Sequence, residues 1–330
     1  VIFGFSDGLF GEEHCMTGSE PWDEEVGQTP LSIDPPAPFH FKYTAHSHGW
    51  VMLAPNRWDE GREALHRVER LVGGRVVDLE ITGPGTPQEP TVQVLVRHQG
   101  ALSPTECAEI TTKVAHMLRV DEDLTEFYAL CRERGEPWVY LTSGVGRLLR
   151  SPTLFEDVVK TICTTNVQWG GTLRMVEGLV HALGEPYPGE PTRRAFPTPQ
   201  AMAEAPPGTF TETARLGYRG RYVHALAQHV ASGELDLEAL QADDLASAEL
   251  KKRLLAIKGV GPYAAATLLM LLGRYDEIAV DTVFRKFVSE QYFDGAQPSD
   301  EEAKAVYEGW GRWRYLAYWF DIWRDIHEEG

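Results

Sequence analysis

Cysteine is scarce in this chain, and so are positive charge and long apolar runs. The four cysteines, Cys15, Cys107, Cys131 and Cys163, are spread too widely for a disulfide framework or a Cys-x-x-Cys metal knuckle, and burial as small hydrophobes is expected. The most apolar stretch, Ala264 to Leu272, is far shorter than the ~20 residues that span a bilayer. The first residues lack the basic and then apolar pattern of an export signal. No membrane partner is therefore expected, and the chain reads as intracellular, cytoplasmic or nucleoid-associated if bacterial. Lys and Arg number 31 against 49 Asp and Glu, a formal charge of -18, which argues against a generally basic surface that coats nucleic acid.

What is present is a globular composition, 43% hydrophobic over 330 residues, long enough for two domains. The exception to the acidic balance lies between Lys251 and Lys286, where Lys and Arg outnumber carboxylates. Inside it stands Leu254-Leu-Ala-Ile-Lys-Gly-Val-Gly-Pro-Tyr263: a helix end, a tight Gly259-Val260-Gly261 turn and a new helix opening at Pro262. Such a turn points several backbone N–H groups at one place, which suits a phosphate. Lys251, Lys252, Arg253 and Lys258 sit on its approach, and Asp281 follows at the start of another helix.

The rest divides into three regions. Residues 1–38 read as an acidic arm or wrapping segment, with Glu12, Glu13, Glu20, Asp23, Glu24 and Glu25 amid Gly and Pro. Residues 39–145 read as an antiparallel sheet with covering helices. Strand character is expected through Phe39–Tyr43 and Trp50–Leu53, and most firmly in Val76–Thr82 and Thr91–Arg97, where apolar and polar residues alternate. Residues 146–330 read as helical, so the fold class is α+β. One helix carries Leu154, Val158, Val159 and Ile162, with Thr153 and Glu156 placed to cap it.

The segments Ile257–Ala265 and Ala279–Lys286 together resemble the helix-hairpin-helix DNA glycosylases, nearest the bacterial alkyl-purine and 8-oxoguanine branches. Phe39–Asp59, Met117–Tyr128, Phe196–Pro199 and Leu216–Tyr222 resemble recurring segments of the same family. The resemblance implies that duplex DNA with a damaged base is the partner and that Asp281 is the catalytic carboxylate; a helix cap is its structural alternative. Backbone contact is assigned to Lys258, Gly259, Gly261, Lys251 and Lys252. Asn166, in the polar break Thr164–Trp169, matches the residue that enters the duplex where the damaged nucleotide leaves; otherwise it satisfies its own backbone at a helix corner. Tyr263, Thr267, Tyr218 and Trp310 are assigned to the base pocket, although so aromatic a carboxyl end also suits plain core packing. Arg219 and Arg221 suit either phosphate or surface ion pairs.

By the same resemblance, no cofactor is required for the chemistry. The carbonyls of Leu255, Ile257 and Val260 are nominated to hold a sodium or potassium ion, and with no cysteine after Cys163 no iron-sulfur cluster is expected. Relatives that cleave the strand carry a lysine where this chain has Tyr263, which implies hydrolysis without lyase activity. The expected activity is removal of a 3-methyladenine-like base by a monomeric enzyme. The alternatives are an oxidised-purine glycosylase and a hairpin DNA-binding scaffold without catalysis.

Overall fold

The computed structural model describes residues 26–242 and 245–322. Five antiparallel strands open it: β1 (Val26–Ile33), β2 (Asn56–Asp59), β3 (Ala64–Arg70), β4 (Val76–Thr82) and β5 (Val92–Gln99), in spatial order β1-β5-β4-β3-β2. The first strand corrects the expected arm: residues 26–33 pair along the whole of β5, from Val26 opposite Gln99 to Ile33 opposite Val92. The remainder of that acidic segment lies outside the described residues. Between β1 and β2, Phe41–Ala45 (α1) and a short 3-10 turn, Gly49–Met52, replace the strands expected there. Phe41, Thr44 and Ala45 are the buried residues of α1, which is the i, i+3, i+4 spacing of a helix face.

On β4 the expected alternation holds for one face, with Val77, Leu79 and Ile81 in the main core. The opposite face is also covered. Asp78 is buried there beneath Arg97 (3.2 Å) and Arg193 (2.6 Å), the latter brought by a small hairpin, β6 (Pro186–Tyr187) and β7 (Glu190–Arg194). Helices α2 (Pro104–Met117) and α3 (Thr125–Arg134) follow the sheet, and α2 starts at a reciprocal capping box between Ser103 and Glu106.

Next comes α4 (Leu154–Thr164), every residue of which is buried. Thr153 caps it by accepting the Glu156 N–H at 3.3 Å. The Glu156 carboxylate meanwhile turns to Arg67 on β3 (2.7 Å) and Lys160 (2.6 Å), with Glu69 holding the other side of Arg67 at 2.7 Å. A fully hydrogen-bonded buried ion network thus fixes α4 to the sheet, and removal of one member would strand the others without water.

The chain continues through α5 (Trp169–Leu183), α6 (Pro199–Glu204), α7 (Gly220–Ala231), α8 (Leu237–Ala242), α9 (Ser247–Leu255), α10 (Pro262–Leu271), α11 (Thr282–Tyr292), α12 (Asp300–Ala305) and α13 (Arg314–Ile322). Helix α10 is buried from Ala264 to Leu271 and packs against α9 and α4. One hydrophobic core runs from the sheet through to α13, without a break at the expected boundary near 145. Among the described residues no helix is long and apolar enough to cross a membrane.

Candidate active site

Three separate pieces of chain meet around one open cleft of about 680 Å³: the α4–α5 turn, the start of α7, and the α9–α10 hairpin with the head of α11. The hairpin is built as its sequence suggests. Gly259 takes φ +96°, and a Cβ there would stand 2.8 Å from Tyr222 Cβ, so both conformation and packing require glycine. Val260 N–H closes the turn on the Ile257 carbonyl at 3.0 Å. Gly261 is the N-cap of α10 and supplies no side-chain cap; Pro262 follows at the first helical position. The first N–H groups of α10 therefore face the cleft uncapped.

Gly261 differs from Gly259. Its φ is not positive, and a Cβ would meet nothing within 4 Å. The protein's own packing gives no reason for glycine there; close approach of a ligand to the backbone would.

Asp281 lines the cleft opposite this turn and caps α11, its Oδ1 accepting the Phe284 N–H at 2.8 Å. The expected capping role and a place in the site therefore coexist. Tyr263 stands beside it, its phenol pushed up to about 12 by burial and then by the Asp281 charge. Beneath lie Tyr315 and Tyr318 of α13, both buried, with phenols held well above their usual range by burial and by neighbours that include Asp281 and Tyr263. The carboxylate thus has three neutral phenols among its neighbours at neutral pH. Sequence reading singled out only Trp310 from the carboxyl-terminal aromatics for the pocket and left the others to core packing or the pocket; the spacing of Tyr315 and Tyr318 on one face of a helix was the signal that could have set these two apart.

Asn166 occupies the α4–α5 turn in the left-handed region, φ +48°, and is exposed. Its Nδ2 donates to the Tyr218 hydroxyl at 3.3 Å. Arg219 holds the same turn from behind: its Nε donates to the Thr165 carbonyl at 3.1 Å and its guanidinium lies over the Tyr218 ring. Arg219 is buried, so its role is to brace the turn, and the expected phosphate contact is not what the geometry offers. Tyr222, Thr282 and Arg285 also line the cleft and were missed as site residues. Arg285 is held in a fork by Asp300, at 2.8 and 3.0 Å.

Two residues assigned to the base pocket do not line this cleft. Trp310 is buried away from the cleft, T-shaped on Trp138 at 4.7 Å, close to Phe127, and covered by the Arg134 guanidinium at 4.2 Å. Thr267 lies one helical turn below Tyr263, donates to its carbonyl at 3.1 Å and does not line the cleft. Of the approach cations, Lys251 is engaged by Glu277, while Lys252 is exposed and only 3.9 Å from Glu249. Lys258 is exposed on the hairpin itself. No N–H among the described residues reaches the carbonyls of Leu255 or Val260, and the Ile257 carbonyl receives Val260 N–H, so oxygen donors for a hard cation are present. Among the described residues no cluster of His, Cys, Asp or Glu could hold a metal ion.

Comparison with known proteins agrees with this arrangement. Residues 159–312, which contain the turn, the hairpin and Asp281, match the model of the HhH-GPD superfamily base excision DNA repair protein. The DNA-3-methyladenine glycosylase of Bacillus subtilis (strain 168) is 23% identical over 226 residues, 66% of this chain and 73% of that protein. The 3-methyladenine DNA-glycosylase from Archaeoglobus fulgidus superposes with a TM-score of 0.70 at 20% identity, covering 90% of this chain and 99% of the other. The Clostridium acetobutylicum 8-oxoguanine glycosylase/lyase, solved with double-stranded DNA containing cytosine opposite 8-oxoG, gives 0.63 at 18% identity over 92% and 98%. The structural likenesses carry the fold, the α+β arrangement of sheet and helical region, and the match over residues 159–312 places that helical segment in the HhH-GPD superfamily of base excision DNA repair proteins.

Proposed function

We propose that this chain is a DNA glycosylase that turns a damaged nucleotide out of duplex DNA and releases its base by hydrolysis, without cutting the strand. The observation that carries the reading is the convergence of Asp281, the uncapped N–H groups of α10 and the Asn166 turn on one cleft. The hairpin N–H groups and Lys258 would hold a backbone phosphate next to the extruded nucleotide. Asn166 would enter the stack in its place, an amide being able to bond the orphaned base at less desolvation cost than a charge.

In the cleft, water adds to the anomeric carbon as the N-glycosidic bond breaks and the bonding electrons leave with the base. Asp281 stabilises the positive charge that grows on the sugar and orients the water or takes its proton. Free base and an abasic site result. At position 263 a tyrosine supplies no amine for a Schiff base, and its raised pKa keeps the phenol protonated. This supports hydrolysis alone.

Tyr263, Tyr218 and Tyr222 offer aromatic surface in the cleft. Such surface favours an electron-poor alkylated purine, whose weakened bond needs little protonation of the leaving group. The alkyl-purine relatives point the same way, while the likeness to an 8-oxoguanine enzyme keeps oxidised purines as the second reading. A sodium or potassium ion on the carbonyls of Leu255, Ile257 and Val260 would tie the hairpin to phosphate and takes no part in bond cleavage.

A panel of duplexes carrying single alkylated or oxidised bases, assayed separately for free base and for strand cleavage, tests the proposal. Release of alkylated purine by wild type without nicking, and loss of ~100-fold or more in single-turnover rate in Asp281→Asn, are expected. Asparagine also caps helices well, so that variant should fold and bind DNA. An unchanged rate in Asp281→Asn would remove the carboxylate from the mechanism.

A further inference from the structure

A second groove, of about 600 Å³, lies between β2, α5, the β6–β7 hairpin and the short π-helical turn Thr209–Thr213; it shares no lining residue with the cleft around Asp281. In a chain of formal charge -18 it is lined by Arg57, Arg174, Arg193, Arg194 and Arg215, with His181, against Glu177 and Glu190. Arg193 is committed to Asp78 and Glu190, and Arg194 donates to the Gly184 carbonyl at 2.9 Å. Arg57, Arg174 and Arg215 are exposed, and among the described residues no carboxylate pairs with any of them. Acidic proteins neutralise stray cations easily, so three unpaired arginines along one groove call for an external anion.

The groove is tied to the Asn166 turn by short covalent paths. Arg174 lies in the second turn of α5, the helix that follows the Asn166 turn, and its Nη1 would stand 3.5 Å from a Cβ placed on Gly170, so the guanidinium is folded back toward the start of α5. Arg215 stands three residues before Tyr218, the partner of Asn166. Gly178 makes the arrangement possible: a Cβ there would come within 2.8 Å of Ala214 Cα, so only glycine lets the segment that carries Thr213 and Arg215 lie against α5.

We propose that this groove is a second phosphate-binding surface, which takes the sugar-phosphate backbone of the duplex flanking the lesion on the Asn166 side. The inference rests on the glycosylase reading. The hairpin would grip DNA at the extruded nucleotide, and Arg174, Arg215 and Arg57 would hold the helix beyond the point where Asn166 enters it. Guanidinium groups suit this, since they bond phosphate oxygens in a fork and read no sequence. The arrangement also accounts for how so acidic a protein engages a polyanion: the positive charge is gathered where backbone passes.

The test is the double variant Arg174→Gln/Arg215→Gln, both sites being exposed and outside the cleft. Two duplexes carry the same abasic-site analogue, one extended to its 5′ side and the other to its 3′ side, and binding is titrated against salt. We expect the slope of log K on log salt to fall by about two on one of the two duplexes only, with affinity lowered ~10-fold or more there. Melting temperature and single-turnover base release at saturating DNA should match wild type. Wild-type slopes on both duplexes, or equal losses on both, would overturn the groove assignment. Failure of wild type to release any base while it still binds DNA with the expected slopes would instead sink the glycosylase reading and leave the groove standing.

Discussion

The Asn166 amide donates to the Tyr218 hydroxyl at 3.3 Å, which joins the turn after α4 to the turn before α7 across the mouth of the cleft. Both residues are exposed, so the bond adds little to folding. Its consequence is orientation. It holds an amide that must enter a base stack, on a backbone already fixed in the left-handed region. Tyr218→Phe should therefore leave the melting temperature within about a degree and lower base release ~3- to 10-fold, since one weak hydrogen bond is lost. Asn166→Gly keeps the backbone conformation and deletes the amide, and should cost more. Equal and undiminished rates in both would show that Asn166 has no place in extrusion.

The two glycines of the hairpin give a sharper contrast. Alanine at Gly259 combines an unfavourable φ with a contact 2.8 Å from Tyr222, and a destabilisation of about 1–3 kcal/mol is expected from strain of that kind. Alanine at Gly261 meets empty space. Gly261→Ala should melt like wild type while DNA affinity drops ~10-fold, because the new methyl occupies the ground where phosphate would approach the N–H groups. Urea unfolding alongside a binding titration separates the two. A Gly261→Ala protein with full affinity would mean that the hairpin does not hold phosphate closely.

How far these features are legible in the sequence depends on their range. The hairpin, its proline and the Asp281 cap are local events, and glycine, proline and aspartate announce them within a few residues. The alternation of β4 and β5 is local too. What escaped is what depends on distant chain: residues 26–33 look like part of an acidic tail until β5 is there to pair with them. Trp310 and Tyr318 belong to the same aromatic run, and only the packing of α13 beneath Asp281, with Trp310 turned toward Trp138, tells them apart. Arg219 looked like a surface cation because nothing in its neighbourhood foretells that the Thr165 carbonyl, far back in the chain, would claim it.

The buried titratable groups set the acid limit of the fold. His48 is buried and His116 half-buried, and both are held down to about 3, chiefly by desolvation and then, for His116, by Arg150 and Arg119. Glu156 is held down to about 2: burial pushes it up, and Arg67 with Lys160 outweigh that. In all three the folded protein binds a proton less readily than the unfolded chain. Their contribution is therefore complete above the unfolded pKa and is lost as pH falls, from about 6.5 to about 3 for the histidines and from about 4.5 to about 2 for Glu156. Asp157 and Glu238, raised by burial, act in the opposite sense and offset part of the carboxylate contribution. Stability measured by urea unfolding should fall as pH drops from 7 toward 5, by up to about 1.4 kcal/mol per pH unit for each histidine once well below 6.5. His116→Leu should shallow that slope by up to one proton, since its Nε2 is buried with no partner among the described residues and only Nδ1 meets Gln241, at 3.2 Å. A flat stability profile between pH 7 and 5 would show that both rings are reached by water in the folded protein.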